Sequence, residues 1–226
     1  MNLFFKGFFP FILPLMLFSC SHFDVRNIAK TNVDVISEIH MNQVKEILWI
    51  LTEKLYKKNP KELQKNKNLT LNKRLNEIFS CPPKTKLKEV ESKNSIDAIL
   101  LGFDPKFKGD RVFALMYGLY TMIHRSYNDK CELFVLDYLN AQSLYNSARN
   151  IEIFLWQIKN KRDKNGKLFI LTNSVQGKVQ NLSYERLFGK LIALQDIMAL
   201  IIERRTGRIA KRTAQIAGMV FLPIGF

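Results

Sequence analysis

The stretch RVFALMYGLYTMIHRSY, residues 111–127, restricts more than any other what this chain can become. Asp110 stands where a side chain would cap a helix, and Asn128-Asp129 stands where the helix would stop. Between them almost every position is apolar. A helix apolar on nearly all sides belongs in a core rather than on a surface. Ala114, Gly118 and Thr121 form a stripe of small residues along it, which lets a neighbouring helix approach closely.

The rest of the chain also reads as helix. Val35, Ile36, Ile39, Val44, Ile47, Leu48, Leu51 and Leu55 recur at three- and four-residue spacing. Thr31 or Asn32 would cap this helix, Asp34 suits its first turn, and Asn59-Pro60 ends it. A shorter helix carries Leu71, Leu75, Ile78 and Phe79. Residues 96–103 form a short apolar stretch. Leu144, Ala148, Ile151, Leu155 and Ile158 share a face of another helix. Ser183 is expected to cap a further one, lined by Leu187, Leu191, Leu194, Met198, Ile201 and Ile202. Gly207 separates that helix from a last one at about 208–219. Residues 131–139 and 167–173 are short, apolar and open to either reading, so they could pair as strands. The expected fold is mainly α: an irregular bundle of about five to seven helices with at most a small two-stranded ribbon.

The amino terminus is of another kind. Phe8–Phe18 has no charge, and Lys6 precedes it. A membrane span needs about 20 apolar residues, and Pro10 and Pro14 would break this run, so its length suits a secretory signal. Leu17-Phe18-Ser19-Cys20 resembles the lipobox of bacterial lipoproteins, with Phe18 bulkier than is common there. The resemblance covers only about the first 20 residues. It implies a diacylglyceryl thioether on Cys20, cleavage after Ser19, and acylation of the new amine by a fatty acid such as palmitate. Two or more chains hold a protein at a bilayer where one does not. Ser21 resembles the signal for transfer to the outer membrane in a Gram-negative host. The expected organisation is a signal peptide at 1–19, a lipidated tether at 20–31, an N-terminal helical arm at 32–80, a polar linker at 81–95 and a C-terminal helical core at 96–226.

The formal net charge is +15, and loss of residues 1–19 removes only Lys6, leaving +14. Such a surface attracts anionic headgroups, acidic polysaccharide or nucleic acid. Two tracts concentrate it. Residues 54–74 hold eight Lys or Arg and one acid, Glu62. Residues 204–212 hold Arg204, Arg205, Arg208, Lys211 and Arg212 with no acid. A solvated face is the plain reading of both. The second precedes an apolar tail, Met219–Phe226, which is too short to span and either folds back as core or lies at a bilayer surface.

Cys81 and Cys131 remain once Cys20 is set aside. A bridge between them would close a loop of about 51 residues, and two buried free thiols are the alternative. No metal site is expected: there is no Cys-x-x-Cys and no His-Glu-x-x-His. No cofactor is expected either, since glycine-rich phosphate loops are missing. Nor is there a serine-nucleophile motif, and His124 with Cys131 is the one candidate thiol–imidazole pair. Tyr117, Tyr120 and His124 fall on one helical face and could line a ligand groove, although such residues more often finish a core edge. The reading that follows is a non-catalytic accessory or scaffold lipoprotein of the cell envelope. Its partners would be the membrane through its lipid, an anionic lipid or polysaccharide, and an unknown envelope protein. The alternatives are an envelope hydrolase using the Tyr117/Tyr120/His124 groove and, less favoured, a surface nucleic-acid binder.

Overall fold

Arg111–Ser126 forms the central helix, and nearly every one of its residues is buried. The computed structural model describes residues 31–66, 69–134, 138–173, 182–212 and 220–225. Among them the chain is mainly helical, with α1 (Asn32–Lys58), α2 (Pro60–Gln64), α3 (Leu71–Ile78), α4 (Ser95–Gly102), α5 (Arg111–Ser126), α6 (Ala141–Asn160) and α7 (Ser183–Thr206). One 3-10 turn, Lys88–Val90, lies between α3 and α4. No helix among the described residues is long and apolar enough to cross a membrane.

Local chemistry sets the helix starts. Thr31 and Asp34 form a capping box: the Thr31 N–H donates to Asp34 Oδ2 at 2.7 Å, and Thr31 Oγ1 accepts from the Asp34 N–H. Asp110 Oδ1 accepts from the Phe113 N–H at 2.9 Å and starts α5. Ser183 does not cap α7; it is the first helical residue, and Leu182 precedes it without a side-chain bond. α7 ends on Gly207 at φ +67°, a left-handed residue whose N–H donates to the Glu203 carbonyl.

α4 lies against α5 where the small residues are. A Cβ at Gly118 would sit 2.7 Å from the Ile99 amide nitrogen and 2.8 Å from the Ser95 carbonyl oxygen. Beside it the Ser95 N–H donates to Thr121 Oγ1 at 2.7 Å. α6 packs against α5 and pairs with α7, which also lies against α1. α1 runs antiparallel to α7, with Asp34 near Arg205 and Lys54 bonded to Ser183.

Residues 32–80 are not a peripheral arm. Leu48, Leu51, Leu55, Leu75 and Ile78 share one apolar core with α4–α7. The 81–95 stretch is likewise part of that body, because Val90 is fully buried and Arg74 reaches Glu89. Each such apolar side chain contributes roughly 1.5–3 kcal/mol by leaving water.

Two asparagines hold irregular chain against helices. Asn59 exchanges both hydrogen bonds with the backbone of Leu171, and fully buried Asn150 does the same with Leu222. Asn146 adds a bond to the Pro223 carbonyl, and Ile224 is buried, so residues 222–224 fold back on α6. The expected last helix does not begin at 208, since Arg208–Arg212 is non-helical; 213–219 lie outside the described residues. The expected ribbon does not form among the described residues, whose one bridge, Arg162 with Leu168, closes the turn after α6. Residues 135–137 of that expectation also lie outside them, as do residues 1–30 with Cys20.

Candidate functional site

Two places gather the residues singled out above. The first is the end of the molecule where α7 stops and α1 starts. Gly207 turns the chain, and residues 208–212 then run along the start of α6. Gln142 holds them there, accepting from the Lys211 N–H at 2.6 Å. Glu203 pins the same strap by accepting from the Ala210 N–H and from Arg212, both at 2.8 Å. The Arg212 guanidinium also lies over the Tyr145 ring, 4.8 Å from its centre. Arg205 stands 3.6 Å from buried Asp34. Arg212 and Arg205 are therefore partly neutralised. Arg204, Arg208 and Lys211 are exposed and have no ion-pair partner among the described residues.

Between this strap and the start of α6 lies an open recess of about 590 Å³, lined by Tyr138, Gln142, Arg205, Arg208 and Ile209 among others. Ile209 is 82% exposed and Tyr138 72%. Cationic groups and outward apolar side chains thus share one end. Ile36, Ile39, Ile197 and Leu200 on the neighbouring helices are exposed as well. The 54–74 tract is different. Lys65 pairs with Glu62, Lys57 with Glu53, and Arg74 is wholly buried.

The second place is the aromatic face of α5. The segment after α3 covers Tyr117 and Tyr120, and of the expected groove residues Tyr120 and His124 border a small cavity of about 70 Å³ among the described residues. Tyr117 Oη donates to the Lys84 carbonyl at 2.5 Å, and Tyr120 Oη donates to the Ser80 carbonyl at 3.1 Å. Phe79 packs edge-on against Tyr120. Burial raises both phenols, Tyr120 to about 12.

Cys81 and Cys131 are joined as a disulfide, with Cα atoms 5.8 Å apart. His124 Nε2 lies 3.3 Å from Cys81 Sγ, and its Nδ1 lies 3.4 Å from Asp129 Oδ1. Asn128 and Asp129 adopt positive φ, 58° and 56°, and this left-handed pair turns Asp129 back to its histidine. Burial lowers the His124 pKa, and Asp129 opposes that shift. The two sulfurs and a His124 nitrogen lie within 4.8 Å of one another, a set that would suit a metal only as thiolates.

The chain matches no known protein family, no curated protein and no solved structure. The residues alone therefore carry the functional argument.

The sequence offers Cys131, seven residues on, as the thiol for His124; the sulfur against Nε2 belongs to Cys81, forty-three residues back. Asp129 reads in the sequence only as a helix stop. The signal that could have found it is an acid five residues after a histidine, at a turn that reverses the chain.

Proposed function

We propose that this chain is a cell-envelope lipoprotein, anchored through Cys20, whose folded domain is an accessory or scaffold unit that turns its basic end to an anionic membrane surface. The observation that carries this reading is the position of the chain's entry. Thr31 caps α1 three residues before Asp34, and Asp34 contacts Arg205 beside the recess. The eleven residues Cys20–Lys30 reach at most about 40 Å even if extended. An acylated Cys20 would thus hold this end, with Arg204, Arg208, Lys211 and Ile209, within reach of the headgroups. Acyl insertion and surface charge then add, since basic residues close to an anionic leaflet contribute about 1 kcal/mol each.

Vesicle sedimentation tests the surface. The chain from Ser21 onward, without acyl groups, is expected to bind vesicles rich in anionic lipid and not purely zwitterionic ones. Arg204→Glu, Arg208→Glu and Lys211→Glu together should weaken that binding about 100-fold or more. Equal binding to both vesicle types, or an unaffected triple variant, would contradict the proposed orientation.

A further inference from the structure

We infer that the Cys81–Cys131 bridge is a reversible thiol–disulfide exchange site for low-molecular-mass thiols, with Cys81 as its nucleophile, His124 as its base and Asp129 as a positioning residue. A bridge that only staples two segments needs no base at sulfur. Here an imidazole nitrogen lies 3.3 Å from Cys81 Sγ, and a carboxylate holds the opposite ring nitrogen. A carboxylate only accepts, so the Asp129 contact favours the tautomer protonated on Nδ1, which leaves the Nε2 lone pair for the sulfur. This is the order of nucleophile, base and orienting acid used by activated thiols.

The surroundings fit as well. Reactive thiols sit in electropositive, partly exposed settings. Neither cysteine is buried, and Lys45 of α1 lines the small cavity beside them. That cavity is about 70 Å³, bordered by Met41, Asn42, Lys45, Tyr120, His124 and Cys131 among others. Its size admits a thiol-bearing side arm rather than a folded chain, and the lysine suits an anionic small thiol such as glutathione.

The chemistry balances without another cofactor. An incoming thiolate attacks Cys131 Sγ. The Cys81–Cys131 bond breaks, a bond from the incoming sulfur to Cys131 forms, and the electron pair leaves on Cys81 Sγ. A second thiolate completes the reduction by displacing Cys131 and releasing the small-molecule disulfide. In the reverse direction Cys81 gives its proton to His124 Nε2, attacks the mixed disulfide and expels the small thiolate. The two spent thiols are oxidised and the protein bridge is reduced, or the converse. This adds a thiol chemistry to the accessory role and is independent of the membrane reading.

Competition alkylation tests it on the full chain. The protein is reduced with a phosphine, desalted and pulsed with limiting iodoacetamide at neutral pH, and each cysteine peptide is quantified by mass spectrometry. Cys20 lies on a separate peptide and does not enter the ratio. Cys81 should label about tenfold faster than Cys131. His124→Gln should remove the preference. Asp129→Asn, at a largely exposed carboxylate, should reduce it without lowering the melting temperature, and so separates chemistry from folding. The oxidised protein treated with reduced glutathione should carry the mixed disulfide on Cys131. Equal labelling, faster Cys131, a preference unchanged in Asp129→Asn, or glutathione trapped on Cys81 would overturn the inference.

Discussion

Arg74→Met is expected to lower the unfolding free energy by about 3–5 kcal/mol at neutral pH, the usual loss when one member of a buried ionic cluster is removed. Arg74 is fully buried. Its Nη1 reaches Glu77 at 2.7 Å, its Nη2 reaches Glu89 at 2.6 Å, and its plane lies 4.0 Å over the Phe113 ring. Its Nε stands 3.7 Å from Asp110, a near contact without a hydrogen bond. Asp110 in turn accepts from Tyr56 Oη at 2.8 Å and caps α5. Arg74 and Asp110 together therefore tie α1, α3, α5 and the turn before α4. Methionine keeps much of the volume but leaves the Asp110 carboxylate buried without its cation.

The pH dependence follows with a definite sign. Burial raises Asp110 to about 6, against the opposing pull of its hydrogen bonds and Arg74. A carboxyl group raised on folding contributes stability that is full below its unfolded pKa and is lost as pH rises through the folded value. Removing Arg74 raises Asp110 further, so the deficit of Arg74→Met should be larger at pH 7 than at pH 5. Asp110→Asn in the same background should shrink that difference. Urea unfolding at the two pH values measures both, and a deficit independent of pH would contradict the role given to Asp110.

Gly118→Ala is expected to destabilise by about 1–3 kcal/mol, although alanine is the better helix former by about 1 kcal/mol. The sign depends on what the new methyl meets. Here it meets the Ile99 amide and the Ser95 carbonyl at 2.7 and 2.8 Å, backbone atoms that move only with all of α4. Gly189 in α7 is the internal control, because the methyl carbon of an alanine there would have no atom within 4 Å beyond its own helix backbone and chain neighbours. Gly189→Ala should therefore hold or raise the melting temperature while Gly118→Ala lowers it. A rise in both would mean that α4 does not sit on α5 as described.

Much of this arrangement is legible in the residues, because its causes are local. The Thr31 cap, the Asp110 cap, the Asn128-Asp129 stop and the small stripe of α5 each depend on a few neighbours, and each stands where the pattern predicts. Arg74 is the contrary case. It falls in a lysine-rich tract that reads as a solvated face, and only the approach of Glu89 and Asp110, distant in sequence, makes it a core residue. The segment after Gly207 misleads for a similar reason. Its composition suits a helix, yet Glu203 and Gln142 bind its backbone in a non-helical path. The cover that the Ser80–Lys84 backbone lays over Tyr117 and Tyr120, beside the small cavity at Tyr120 and His124, is not foretold by helical periodicity. The pairing of His124 with Cys81 depends on the same covering segment.

The proposed lipid anchor on Cys20 is open to a mass measurement on the protein extracted from the membranes of its own cells. The expected species has lost residues 1–19 and begins at Cys20, with the added mass of a diacylglyceryl thioether and an N-linked fatty acid. An intact Met1, or a chain beginning at Cys20 without acyl groups, would contradict it.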